Sequence, residues 1–238
     1  LLNGPPRCGK DTISTMLKQR SSSFVHEEKF AMPMKRCVPL VYSIPLDHWR
    51  DHLDTAANKD LPCSEFFGRS PRQAQIDFSE SYLKPIHGQN IFGKLLVRRL
   101  HTICGGMTEC AVVSDSGFRP EAEEIIKEFG AENVQLWRVY REGCDYSGDS
   151  RDYVMLDDLG VRTYEIENNG SMDDLRDLVE PLYEAMVLPR DASEQDPKTQ
   201  EAIVESVEDW DRRRELAAVK AFADWPERKI KRIKADTR

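Results

Sequence analysis

The residues Gly4-Pro5-Pro6-Arg7-Cys8-Gly9-Lys10-Asp11-Thr12 have the types and spacing that hold phosphate. The pattern is G-x-x-x-x-G-K. Glycines let successive backbone amides turn toward anionic oxygens, and the lysine reaches the outer phosphates. Arg7 and Cys8 lie inside the same turn and are counted with it. Asp11 stands directly after Lys10, and the hydroxyl comes one place later, at Thr12. A hydroxyl beside the lysine normally touches the divalent cation, so Mg²⁺ is expected to be held through water or by Asp11. A chance lysine in a Gly/Pro turn is the competing reading. The flanks favour the first: Leu1-Leu2 has the look of a strand end, and residues 13–17 have helical spacing, the strand-to-helix context that sets a helix N-terminus under an anion.

Three further constellations suit phosphate chemistry. Asp115 closes the apolar run Cys110-Ala111-Val112-Val113, where a carboxylate at a strand end orders Mg²⁺ and its waters. Lys35, Arg36, Arg72 and Lys84 lie between the second strand and Asp115, in the region that would take a second substrate, and a forked guanidinium matches a phosphate monoester. Arg138, Arg141 and Arg151 flank the Gly/Asp/Ser-rich stretch 143–149, which reads as a closing lid whose arginines neutralise charge on a phosphoryl group in flight.

The elements that must position these groups alternate. Helix is expected over 10–19, strand over 24–26, helical segments broken at Pro39 and Pro45 as far as about residue 57, and a helix capped by Ser70-Pro71 that ends near Lys84-Pro85. Ile91, Phe92, Leu95, Leu96 and Leu100 repeat at helical spacing. Strands are expected at 110–115, 134–139 and 162–166, helix at 120–129, and a helix over 172–186 capped by Ser171. This alternation predicts a three-layer α/β fold with a parallel sheet whose ligands gather at the strand C-terminal ends. A strand of ~5 residues does not fit in Leu1 to Asn3, so the first strand is expected to be cut short. Ser21 to Ser23 reads as a polar loop. Residues 1–188 form the expected core, and 189–238 a polar linker followed by a charged helical extension with a basic end.

Composition narrows the classes. A net charge of −8 argues against a nucleic-acid coat, which would be basic. The six cysteines, Cys8, Cys37, Cys63, Cys104, Cys110 and Cys144, form no C-x-x-C pair and accompany no histidine cluster, so reduced thiols in a cytoplasm are expected rather than zinc or disulfides. No apolar run approaches the ~20 residues that span a bilayer.

The ordered set of motifs resembles the bacteriophage-type deoxynucleoside monophosphate kinases among the P-loop nucleotide kinases. The resemblance rests on the Gly-Lys-Asp-Thr loop ending, Phe30-Ala31-x-Pro33-x-Lys35, Ser70-Pro71-Arg72-Gln73-Ala74 through Lys84-Pro85 to Phe92-Gly93, Ser114-Asp115 through Phe118 to Glu121-Ala122, and Asn169-Gly170-Ser171. It covers roughly residues 1–186. It implies a five-stranded parallel sheet in the order 2-3-1-4-5 and transfer of the γ-phosphoryl of ATP, with Mg²⁺, to a (deoxy)nucleoside monophosphate. Asn169 and Gly170 would edge the adenine pocket. Asp115-Ser116-Gly117-Phe118-Arg119 is similar to the Asp-Gly-Phe-Pro-Arg segment of adenylate kinases, which implies that Arg119 grips the acceptor phosphate. Many phage members have an arginine two places after the strand-end Asp; here it is Gly117, and Arg119 is expected to replace it. The histidine and glutamate of related lids are also replaced, by Ser150-Arg151-Asp152. The expected partners are small-molecule nucleotides, with a homodimer allowed and neither nucleic acid nor membrane. The alternatives are a kinase for another small phosphorylated acceptor and a nucleotide-binding interaction protein without transfer activity.

Overall fold

The computed structural model describes residues 1–20, 25–103 and 110–187. Ser21 to Ser23, Phe24, Cys104 and the linker and extension over 189–238 lie outside the described residues. The chain divides into two units, Leu1–Val187 and Leu188–Arg238; every element below belongs to the first.

Among the described residues five strands are interspersed with helices, β4 and β5 following each other with only a short 3₁₀ turn between: β1 (Leu2–Asn3), α1 (Lys10–Arg20), β2 (Val25–Glu28), α2 (Met32–Val41), α3 (Leu46–His48), α4 (Pro71–Phe78), α5 (Lys84–His87), α6 (Ile91–Ile103), β3 (Cys110–Val113), α7 (Arg119–Phe129), β4 (Gln135–Tyr140), β5 (Arg162–Glu167) and α8 (Met172–Val187). All strand pairs are parallel, in two sheets, β1-β4-β5 and β2-β3. The expected single five-stranded ladder is therefore divided. Between its halves stands one isolated parallel bridge, Asn3 to Ser116. The division has a local cause: β1 offers only two residues, and β3 ends at Val113, so a regular ladder has nothing to run along.

Alternation along the strands covers both sheet faces. Leu136 and Val113 face one apolar cluster, with Phe30, Met34, Val38, Phe92, Leu96 and Ile125 of α2, α6, α7 and their flanks. Trp137, Val139 and Val112 face the other, with Ile13 and Leu17 of α1 and Leu175 and Val179 of α8. Successive side chains point to opposite faces, so strands buried on both sides read as continuous apolar runs, as 110–113 does. Among the described residues no helix is long and apolar enough to cross a membrane.

The caps follow the sequence. The Ser70 hydroxyl accepts the Gln73 amide at 3.1 Å with Pro71 at the first turn of α4. Ser171 and Asp174 cap α8 reciprocally: the Asp174 carboxylate takes the Ser171 amide at 2.7 Å, and the Ser171 hydroxyl takes the Asp174 amide at 3.2 Å. Two helix boundaries differ from expectation. Pro39 lies inside α2 without breaking it, because it falls in the last turn, and the Pro39 carbonyl accepts from Ile44 at 2.8 Å as the chain leaves the helix. At the other, Lys84-Pro85 does not end the helix. A π-turn over Ser79–Leu83 passes the chain into α5, where Pro85 occupies a first-turn position that needs no amide donor.

Candidate functional site

The turn between β1 and α1 is held in an uncommon backbone. Arg7 has φ 68°, a left-handed value that residues with a Cβ rarely adopt, and Gly9 has φ 108°. A Cβ on Gly9 would collide with the side-chain amide of Asn168, which donates to the Cys8 carbonyl at 2.8 Å. The Asn168 backbone amide in turn donates to Tyr140 at 2.8 Å, so the end of β5 braces the turn against β4. Ile13 donates to Gly9 at 3.0 Å to open α1. The amides of Lys10, Asp11 and Thr12 precede that first helical bond and find no carbonyl within the helix. They and the helix dipole make a positive rim. Thr12 is half-buried in this first turn, and Arg7 is exposed.

Lys10 closes the turn on itself. Its Nζ donates to the carbonyls of Gly4 at 2.5 Å and Pro5 at 2.6 Å and lies 3.5 Å from the Cys8 sulfur. The residue is 8% exposed, and among the described residues no carboxylate forms an ion pair with it. Burial pushes its ammonium below the ordinary lysine value, and the nearby Arg151 adds to that. Burial likewise raises the Cys8 thiol.

The strand ends beside it carry the acids. Both oxygens of Asp115 are used, accepting the amides of Phe30 at 2.7 Å and Ala31 at 3.0 Å, so the end of β3 ties down the start of α2. Burial still raises its carboxyl, against those two hydrogen bonds and against Lys29. Asp11, expected at the metal, turns Oδ1 to Lys29 Nζ at 2.7 Å and to the Ser114 hydroxyl at 3.0 Å. Burial would raise it, but these partners prevail and hold it below the usual carboxylate value. Its engaged oxygen makes Asp11 a bridge from α1 to the segment before α2. Among the described residues no group of three or more His, Cys, Asp or Glu side chains could hold a metal ion.

The expected acceptor cations lie along one connected charge network. Lys84 is 5% exposed, donates to Glu80 at 2.6 Å and sits over the Phe118 ring, 4.3 Å from its centre. Arg72 donates to Asp60 at 2.5 Å and Lys35 pairs with Asp54, while the Arg36 side chain is exposed. Lys59, which the sequence reading passes over, belongs with them: burial lowers its pKa, and the charges of Arg72 and Lys35 lower it further. Arg72 also acts on Asp149, which is forked to Arg151, and Arg151 acts on Lys10, Asp115 and Glu121. The two ends of the network therefore meet at Arg151.

Two arginines, Arg119 and Arg138, fall elsewhere than expected. Arg119 forks onto Asp158 at 2.8 and 2.6 Å and reaches Glu123 at 2.7 Å and the Met155 carbonyl at 3.0 Å, which raises its pKa and spends its donors on the α7 surface. The side chain packed on Gly117 is that of Arg151. Arg138 is on no lid: it lies within β4, buried, with Nε on the Val154 carbonyl at 3.1 Å and Nη2 on Asp157 at 3.0 Å. Arg141 is exposed just past the β4 end. The 143–149 stretch and its sequel are fastened instead. The wholly buried Asn3 donates to the Tyr146 hydroxyl at 3.1 Å and to the Asp152 carbonyl at 3.1 Å, and accepts from Val154 at 2.9 Å. Tyr153 stacks on Tyr140 with ring centres 4.7 Å apart. At the expected adenine edge, Asn169 accepts the Glu142 amide at 2.8 Å, and Gly170 is exposed beside the Asp174 cap.

Glu121 was also not foreseen as part of the site. It is 3% exposed in the first turn of α7, where Gly93 lets α6 approach so closely that a Cβ would stand 2.5 Å from the Glu121 carbonyl. Burial, then the charge of Asp115, push its carboxyl up to about 8. Signals for these missed residues did exist. Asn3 is a lone amide at a buried strand end, Asn168 sits one place before the expected Asn169, and Asp149 stands two places before Arg151. No protein-family model matches the chain, and no curated protein matches it.

Proposed function

We propose that this chain is a nucleotide kinase that transfers the γ-phosphoryl of MgATP to a nucleoside monophosphate, giving ADP and the nucleoside diphosphate. One observation carries the reading. Lys10 is an almost fully buried ammonium that donates to two carbonyls and, among the described residues, forms no ion pair with a carboxylate, at a helix start whose first amides find no carbonyl within the helix. Burying a cation without a counter-ion is costly, and a polyphosphate is the ligand that supplies both the charge and the acceptors. Phosphoryl transfer needs alignment and charge neutralisation more than covalent chemistry, and this is what the chain offers.

In this reading the turn and Lys10 receive the donor β- and γ-phosphates. Mg²⁺ would arrive with ATP and take most of its ligands from phosphate and water, as Mg²⁺ in such sites usually does. Asp115, with a second lone pair on each oxygen, would orient those waters from the end of β3. Lys84, Arg72, Lys35 and Lys59 form the acceptor side. The bridge from Asn3 to Ser116 supports treating the two sheets as one open sheet in the order β2-β3-β1-β4-β5, in which turn and carboxylate sit side by side at the strand C-terminal ends.

A coupled ADP-release assay with MgATP across the common ribo- and deoxynucleoside monophosphates tests the proposal. Turnover with at least one acceptor is expected. Lys10→Ala should lower kcat by about 10²–10³-fold with an unchanged circular dichroism melt. ADP release that needs no acceptor, or that survives Lys10→Ala, would overturn the assignment.

A further inference from the structure

The side chain of Arg151 lies directly on Gly117. A Cβ on that glycine would stand 2.7 Å from each of the Cβ, Cγ and Cδ atoms of Arg151, so the two positions cannot both carry side chains as they stand. The backbone at Gly117 has no positive φ to explain the glycine. Its reason is room for the arginine. The Asp152 amide donates to the Gly117 carbonyl at 3.4 Å, which aligns the two segments side by side. From this seat the charge of Arg151 acts on Lys10 on the donor side and on Asp115 at the β3 end.

The guanidinium is held by a single carboxylate. Asp149 takes Nε at 2.9 Å and Nη2 at 2.5 Å, and the same acid accepts the Arg151 backbone amide at 3.0 Å. Its side chain is 12% exposed. The charge of Arg72, the acceptor-side guanidinium, also reaches it. The same carboxylate thus holds the Arg151 fork and feels the charge of Arg72. Planar bidentate geometry of this kind fits a carboxylate and a phosphate equally well.

We infer that Arg151 is the arginine that meets the phosphate at the junction of the two substrates, that Gly117 exists to seat it, and that Asp149 stands in for that phosphate when no acceptor is bound. The inference rests on the kinase reading for the identity of the phosphate. On acceptor binding the monoester dianion, the stronger ligand by charge, takes the fork, and Asp149 retains the backbone amide of Arg151. This gives Arg151 the role that the sequence assigned to Arg119.

Four variants of the full chain test it, each with steady-state kinetics and with binding of a nucleoside monophosphate by calorimetry. Arg151→Ala should lower kcat by about 10²–10³-fold and weaken monophosphate binding, whereas Arg119→Ala should stay within about twofold of wild type. Gly117→Ala keeps an allowed backbone and should leave the melting temperature near wild type while lowering kcat/KM by about tenfold, and it should cost nothing more in an Arg151→Gly background, where the seat is empty. Asp149→Asn should lower KM for the acceptor by about 2–5-fold, the expected scale of an ion pair near the surface. Loss of turnover in Arg119→Ala but not Arg151→Ala, a Gly117→Ala effect equal in both backgrounds, or a higher acceptor KM in Asp149→Asn would each overturn the assignment. Calorimetry separates this from failure of the kinase reading. Without turnover in wild type that reading falls, while undiminished monophosphate binding by Arg151→Ala would sink the Arg151 assignment whatever the turnover.

Discussion

Replacing Glu121 with Gln should make the protein more stable, and by an amount that grows with pH. Glu121 is 3% exposed, so its ionised form is without water, and its carboxyl is raised from 4.5 to about 8. Below pH 4.5 the folded and unfolded chains both carry the proton and there is nothing to gain. Between 4.5 and about 8 the unfolded chain releases the proton and the folded chain keeps it. The unfolded state then binds fewer protons, and stability falls as pH rises. The penalty works out at about 1 kcal/mol at pH 5.5 and about 4 kcal/mol at pH 7.5, on the order of 2–3 kcal/mol between them. Gln has the same shape and no charge to lose, so this slope disappears. With a urea m-value of ~2–3 kcal/mol/M, the midpoint of Glu121→Gln should move up relative to wild type by roughly 1 M from pH 5.5 to 7.5. Chemical denaturation of both proteins across that range, followed by tryptophan fluorescence, makes the measurement. A midpoint difference that stays constant with pH would refute the reasoning, because a packing or hydrogen-bond effect of the substitution has no reason to titrate. An increase toward low pH would mean that Glu121 is ionised in the fold and paired, the opposite of the burial argument.

Other perturbations follow from single contacts. Gly9→Ala places a side chain at φ 108° and into Asn168, and should cost about 1–3 kcal/mol in urea unfolding and abolish ATP binding by calorimetry. Arg138→Met keeps the stem in β4 but leaves the Val154 carbonyl without its donor, with an expected loss of about 1–3 kcal/mol and no specific change in acceptor KM. Ser70→Ala removes the α4 cap and should lower stability by about 1 kcal/mol, read as a shift of a few degrees in melting temperature.

What the sequence made legible follows from how far each signal reaches along the chain. Local signals carried well: the Gly4 to Thr12 turn, the Ser70-Pro71 and Ser171 caps and the double-faced apolar run at 110–113 each have their cause within a few residues, and each element stands where it was expected. Arginines were the opposite case. Arg119, Arg138 and Arg151 are equivalent in sequence, since a long flexible side chain near a strand end can reach several partners, and only the fold decides which carboxylate it meets. Asp158 lies 39 residues from Arg119, and Asp157 19 residues from Arg138. Gly117 shows the same limit from the other side. A glycine two places after Asp115 reads as a missing side chain, whereas in the fold it is the space that the Arg151 side chain fills. Under the proposed kinase reading, the charge at this position would come from the segment packed against the glycine, which carries Arg151, and not from the next cation along the chain, Arg119, whose donors are taken by Asp158 and Glu123.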